Sequence, residues 1–125
     1  MNSHKSAHSV PATVDRLIAA LGKRGITVFA RIDHAGEARK AGLALADEEL
    51  VIFGDPRVGT RLMQADPSVG YELPLRVLIW DAAGQTMIAY RPPTQLRDGF
   101  AVGAHVETLQ RVENLMAQLT SEIGI

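Results

Sequence analysis

Asp33-His34 sets a carboxylate beside an imidazole at the junction between an apparent strand and a short helix. A neutral imidazole and a carboxylate can exchange a proton as an acid/base couple, or supply half of a metal site. The structural account is that Asp33 caps the helix and His34 fills its first turn, with adjacent side chains pointing apart. Capping is the stronger of the two. Gly54-Asp55-Pro56, with Arg57 and Arg61 following, poses a similar choice. A helix N-terminus attracts anions, but the Asp55 carboxylate already takes the free amides and Pro56 removes a donor. Asp55 therefore also reads as a cap. Glu72 is a lone carboxylate on the approach to an apolar strand. If the loops carrying Asp33, Asp55 and Glu72 meet at one sheet end, they form an acidic cleft. Such a cleft would suit a cationic ligand or a divalent metal and raise at least one carboxylate pKa. Trp80 and Tyr90 can line a pocket, although a chain with six aromatics needs both for packing.

Recognisable catalytic constellations are missing. No Gly-x-Ser-x-Gly elbow, phosphate-binding Gly-x-x-x-x-Gly-Lys-Ser/Thr run or spaced glycine triplet occurs. His4, His8, His34, His105 and Glu107 have no spacing typical of a metal site. The expectation is no catalytic residue, no metal and no cofactor, with an enzyme ranking behind a binding module.

The elements that position these residues follow from periodicity. Residues 1–9 are polar and aperiodic and read as a disordered tail. From Pro11, Val14, Leu17, Ile18 and Leu21 form one helical stripe, capped by Ser9 or Ser6 and ended by Gly22 or Gly25. Residues 26–32 alternate as a strand, with Ile26, Val28, Ala30 and Ile32 on one face. A short alanine-faced helix runs from Asp33 to Gly42, and residues 49–53 form a brief strand. Asp55-Pro56 opens a helix that Asp66-Pro67 stops. Residues 75–80 and 86–90 pair across a glycine-containing loop, and Arg91-Pro92-Pro93 leaves the sheet. Val106, Leu109, Val112, Met116, Leu119 and Ile123 step by three and four along a terminal helix over about residues 104–123. The predicted order is α-β-α-β-α-β-β-α. It describes one two-layer α+β domain over residues 10–125, with a four-stranded, mainly antiparallel sheet covered by helices on one face.

Composition narrows the classes further. A chain of 125 residues, 46% hydrophobic, is one domain able to bury about two-thirds of its unfolded surface. Thirteen basic against fourteen acidic residues leave a net charge of −1, too balanced to draw it to nucleic acid or an anionic membrane. There is no cysteine, so no disulfide framework or thiolate site. No apolar run is long enough for a membrane span. A soluble, cytoplasmic domain is expected.

Ile32-Asp33-His34, then Phe53-Gly54-Asp55-Pro56 with Gly59, Leu62 and Met63, then Leu73-Pro74-Leu75-Arg76-Val77-Leu78, with Asp81, Gly84 and Tyr90, occur in this order. Over about residues 14–100 the chain resembles domain-of-unknown-function family 302. The resemblance implies a small α+β fold of the TATA-binding-protein-like β-α-β-β-β-β-α arrangement, often dimeric, and implies no activity. In that comparison Gly54, Pro56, Gly59, Leu73 and Pro74 are structural positions. Asp55 departs from it, standing where the family pattern often has asparagine, which puts in doubt any ligand role that needs a neutral amide there.

Two functions follow as expectations. The first is a small-molecule or ion-binding module using Asp33, His34, Asp55, Glu72 and Tyr90. The second is a homodimeric interaction or scaffold protein that pairs through its terminal helix or hairpin edge.

Overall fold

A computed structural model describes residues 1–125. Strand β1 (Asn2–Ser6) leads into helix α1 (Val10–Lys23), then β2 (Thr27–Asp33), α2 (His34–Lys40), β3 (Glu48–Gly54) and α3 (Pro56–Ala65). Strands β4 (Leu75–Ala82) and β5 (Gln85–Tyr90) follow, and α4 (Val106–Gly124) closes the chain. The sheet has five strands, not four, in the order β1-β5-β4-β3-β2, and every pairing is antiparallel. With α2 and α3 set aside as insertions, the order is the β-α-β-β-β-β-α that the resemblance implied.

The extra strand is the segment read as a disordered tail. Asn2 to Ser6 pair with Tyr90 to Thr86, and the Ser6 and Thr13 hydroxyls meet at 2.7 Å in a buried hydrogen bond. An edge strand needs no run of apolar residues, because its outer side faces water; polar composition there is a normal way to blunt an edge.

Helix α1 forms where its stripe predicts. Ser9 caps it by accepting from the Ala12 amide, and Val14, Leu17 and Leu21 are fully buried. Their partners are Val51, Phe53, Val77, Ile79 and Ile88 of the sheet, with Met116, Leu119 and Ile123 of α4. Helices α1 and α4 thus lie together on one face. Met116, Leu119 and Ile123 of α4 are buried in the main core, and β5, the outer strand of the predicted hairpin, is covered by β1. The hairpin edge is therefore not free, and the open edges of the sheet are β1 and β2.

Alternation in β2 breaks at Phe29. Val28 faces Phe53 and the next pair is Ala30 with Ile52, so Phe29 is the extra residue of a bulge. Beyond it, Ala30 and Ile32 lie on the face away from α1, and Arg31 turns toward the helices. There its guanidinium donates to Glu49 at 2.7 Å and to Asp15 of α1 at 2.7 Å. Glu49 is 5% exposed, so the pair gives a buried carboxylate its counter-charge. The Glu49 hydrogen bond is the main cause holding the Arg31 pKa above its ordinary value.

Between β4 and β5 the turn places Ala83 at φ 52° and Gly84 at φ 94°, the doubly positive geometry of a tight hairpin, and Asp81 accepts from the Gly84 amide at 2.7 Å.

Candidate functional site

Beside the main core lies a smaller cluster of Leu62, Val69, Val102 and Leu109, beneath α3 and the 3-10 turn Pro67–Tyr71. The two clusters do not fuse. A cavity of about 410 Å³ separates them, with Phe53 on one wall and Leu62 and Leu109 on the other. Glycines help to leave it open: a Cβ on Gly59 would stand 3.8 Å from both Leu73 Cδ1 and Met63 Cε, and one on Gly70 would stand 3.1 Å from the Met63 sulfur. At its edge, Phe29 is 52% exposed and Met63 37%. Large apolar side chains left in water around a concave site are a recurrent mark of ligand binding.

The structural motif read from the sequence gathers here. Gly54, Asp55, Pro56, Gly59, Leu73 and Pro74 all line this cavity, although thirteen residues lie between Gly59 and Leu73. β3 delivers the first block at its C-terminal end, and the turn after α3 returns the second to the same end, where Phe53 pairs with Leu75. Asp55 caps α3 by accepting from the Arg57 amide at 3.0 Å. The Arg57 side chain, and then its amide, hold the Asp55 carboxyl below the usual carboxylate range. Asp55 is therefore charged and occupied at neutral pH, which suits a cap and not a general acid.

The acidic cleft does not form. Asp33 lies opposite Glu49 at one end of the β2–β3 ladder, whereas Asp55 follows Gly54 at the other. Six residues along β3 at roughly 3.4 Å each put them about 20 Å apart. Asp33 caps α2 by accepting from the Gly36 amide at 2.9 Å. No group of three or more His, Asp or Glu side chains is placed to hold a metal ion.

His34, Glu72 and Tyr90 do come together. They line a second cavity, of about 300 Å³, whose floor includes Leu50, Leu78 and Ala89. Tyr90 is 2% exposed and belongs to the main core, with its ring stacked on His4 at 6.1 Å. Glu72 accepts from Arg91 at 3.3 Å and faces Arg76 at 3.6 Å. Arg76 and Arg91, which line the second cavity, and Leu109, Val112 and Leu115 of α4, which line the first, are not among the site residues expected from the sequence. For Leu109 and Val112 the only sequence signal is the apolar stripe of the terminal helix, which reads equally well as core.

Comparison with known proteins gives three findings. The model of a family described as "Domain of unknown function DUF302" matches residues 2–123, so the match takes in both β1 and α4. The crystal structure of an uncharacterized conserved protein DUF302 from Bacillus stearothermophilus superposes with a TM-score of 0.87 at 20% identity, covering 98% of this chain and 96% of that one. That likeness concerns the fold. Among curated proteins, Fluoride-specific ion channel FluC 1 of Brucella suis biovar 1 (strain 1330) is 40% identical over 100 residues, which are 79% of this chain and 39% of that protein. FluC 1 of Brucella abortus biovar 1 (strain 9-941) is 40% identical over the same length, 37% of its own. The chain thus spans less than two-fifths of the curated relatives it matches.

Proposed function

The chain belongs to the DUF302 family, and from that premise we propose that it is a small-molecule-binding module whose ligand is a compact, largely apolar molecule held in the first cavity. One observation carries this reading: the motif residues Gly54, Asp55, Pro56, Gly59, Leu73 and Pro74 line a single apolar cavity of about 410 Å³. That volume lies within the range of ordinary ligand sites, roughly 300–1,000 Å³. Capping and packing explain Asp55 and Pro56, whereas the cavity that Gly59 lines is left unfilled by the chain's own side chains.

Octanol serves as the probe, with Gly59→Leu as the test. A Cβ at residue 59 would meet Leu73 Cδ1 and Met63 Cε at 3.8 Å, an ordinary contact, and the rest of a leucine side chain is expected to occupy part of the cavity that Gly59 lines. Replacing a helical glycine should also raise stability by about 1 kcal/mol. Octanol at 100 times its dissociation constant should stabilise the native chain by about 2.7 kcal/mol in thermal unfolding. The filled variant should be more stable and should lose that response. Octanol binding that survives Gly59→Leu unchanged would sink the reading.

A second reading is favoured by the curated relatives, which are named as fluoride channels and contain a stretch like this domain. In this reading the domain is an accessory to a fluoride channel, in a cytoplasmic setting, and not the conduit. No helix here is long and apolar enough to cross a membrane, and an apolar cavity offers little to a small, strongly hydrated anion.

A homodimer, the scaffold alternative, would form at the open edge of β2, whose outer backbone groups can accept a second copy of the strand. Light scattering should then give twice the chain mass at tens of micromolar. A monomer mass removes this alternative and leaves the cavity reading intact.

A further inference from the structure

The second cavity has a different chemistry from the first. Its floor of Leu50, Leu78 and Ala89 lies on the sheet face away from α1 and α4, and its rim carries charge. Arg91 donates one hydrogen bond to Glu72 at 3.3 Å, and Arg76 stands 3.6 Å from the same carboxylate oxygen, beyond hydrogen-bond distance. One carboxylate between two guanidiniums leaves a local charge of +1 on a chain whose net charge is −1. A guanidinium has five N–H donors in a fixed fork, so most of the donors of both arginines have no protein partner. Both arginines are about half exposed or more, at 51% and 64%, while Glu72 is held at 21%. Glu72 itself shows that a carboxylate fits between the two forks.

We propose that the juxtaposition of Arg76 and Arg91 over the apolar floor of Leu50, Leu78 and Ala89 is a second binding site, for a small amphipathic anion bearing a carboxylate or phosphate-ester head. The head engages the unused donors of the two guanidiniums, and the apolar body lies on the floor toward His34. The site goes beyond the first cavity and does not depend on it.

Amide NMR titration of the full chain with octanoate, octyl phosphate and octylammonium tests it. Octanoate and octyl phosphate should both move the amides of Leu50, Leu78 and Ala89, and the larger response tells which head group the forks prefer. Octylammonium should leave these amides in place. Arg76→Gln and Arg91→Gln should each weaken octanoate binding about tenfold, the loss of one charge-assisted hydrogen bond. Glu72→Gln removes the internal carboxylate and should tighten binding severalfold. A merely structural triad would show no such opposite signs. Dispersed amide spectra of the three variants would establish that they fold. Equal responses to octanoate and octylammonium would overturn the proposal, as would Glu72→Gln weakening binding, or no shift at the three floor amides. Octanoate shifts confined to Gly59 and Gly70 would overturn this site and leave the first cavity's reading standing.

Discussion

Phe53→Ala is expected to destabilise the chain by about 3–5 kcal/mol, the usual cost of deleting a buried phenyl ring. Phe53 is fully buried near the end of β3, opposite Val28 on one side and Leu75 on the other. It sits in the main core and also forms a wall of the first cavity. Ordinary core sites recover part of the loss because neighbours settle into the gap. Here the gap would open into a void of about 410 Å³, so little relaxation is available. Against a total stability of roughly 5–15 kcal/mol for a domain of this kind, the loss is large. Urea unfolding should show a lower midpoint with an unchanged slope, since the surface exposed on unfolding hardly alters. A loss below about 1 kcal/mol would mean that the two clusters close over the gap and that the cavity is soft. Phe53→Leu separates the two cases, because it keeps most of the volume and should cost less.

What the sequence made legible was local. Asp33 and Asp55 cap helices because each carboxylate accepts from an amide only two or three residues ahead, at 2.9 and 3.0 Å. The stripe of α1 and the turn at Ala83-Gly84 are similarly local, and both are where periodicity and turn chemistry put them. What stayed hidden depends on distant partners. One extra residue at Phe29 sends Arg31 to the helix side, where Glu49 and Asp15 wait; alternation alone would have kept it outside. Asp33 and Asp55 each follow a strand, so they look alike in sequence. The strands are antiparallel neighbours, which sends the two carboxylates to opposite ends of the ladder. The candidate site was therefore half legible. Its motif blocks could be read along the chain, but the void between two clusters exists only once α4 lays Leu109, Val112 and Leu115 against them.

Removing β1 provides the second large effect. A chain starting at residue 8 should lose about 4 kcal/mol, near one for each of several net hydrogen bonds. The loss covers the ladder from Asn2↔Tyr90 to Ser6↔Thr86, the buried Ser6–Thr13 hydroxyl bond, and the Gln85 side-chain donation to the Ser6 carbonyl. It also removes the Ala7 amide that donates to the Gly124 carbonyl at 2.9 Å, and the imidazole of His4 that covers Tyr90. Uncovering β5 would create a long unpaired edge, so association at higher concentration should accompany the lost stability. A polar tail without structure would be removed at no cost, which makes the two accounts easy to separate by urea unfolding. Gly124→Ala probes the same contact without shortening the chain. A Cβ there would lie 2.8 Å from the Lys5 carbonyl oxygen, so β1 and the end of α4 must move apart. Destabilisation by both changes is the expected result. If the truncated chain unfolds at the same midpoint as the full one, the strand contributes nothing and the sheet is effectively four-stranded in solution.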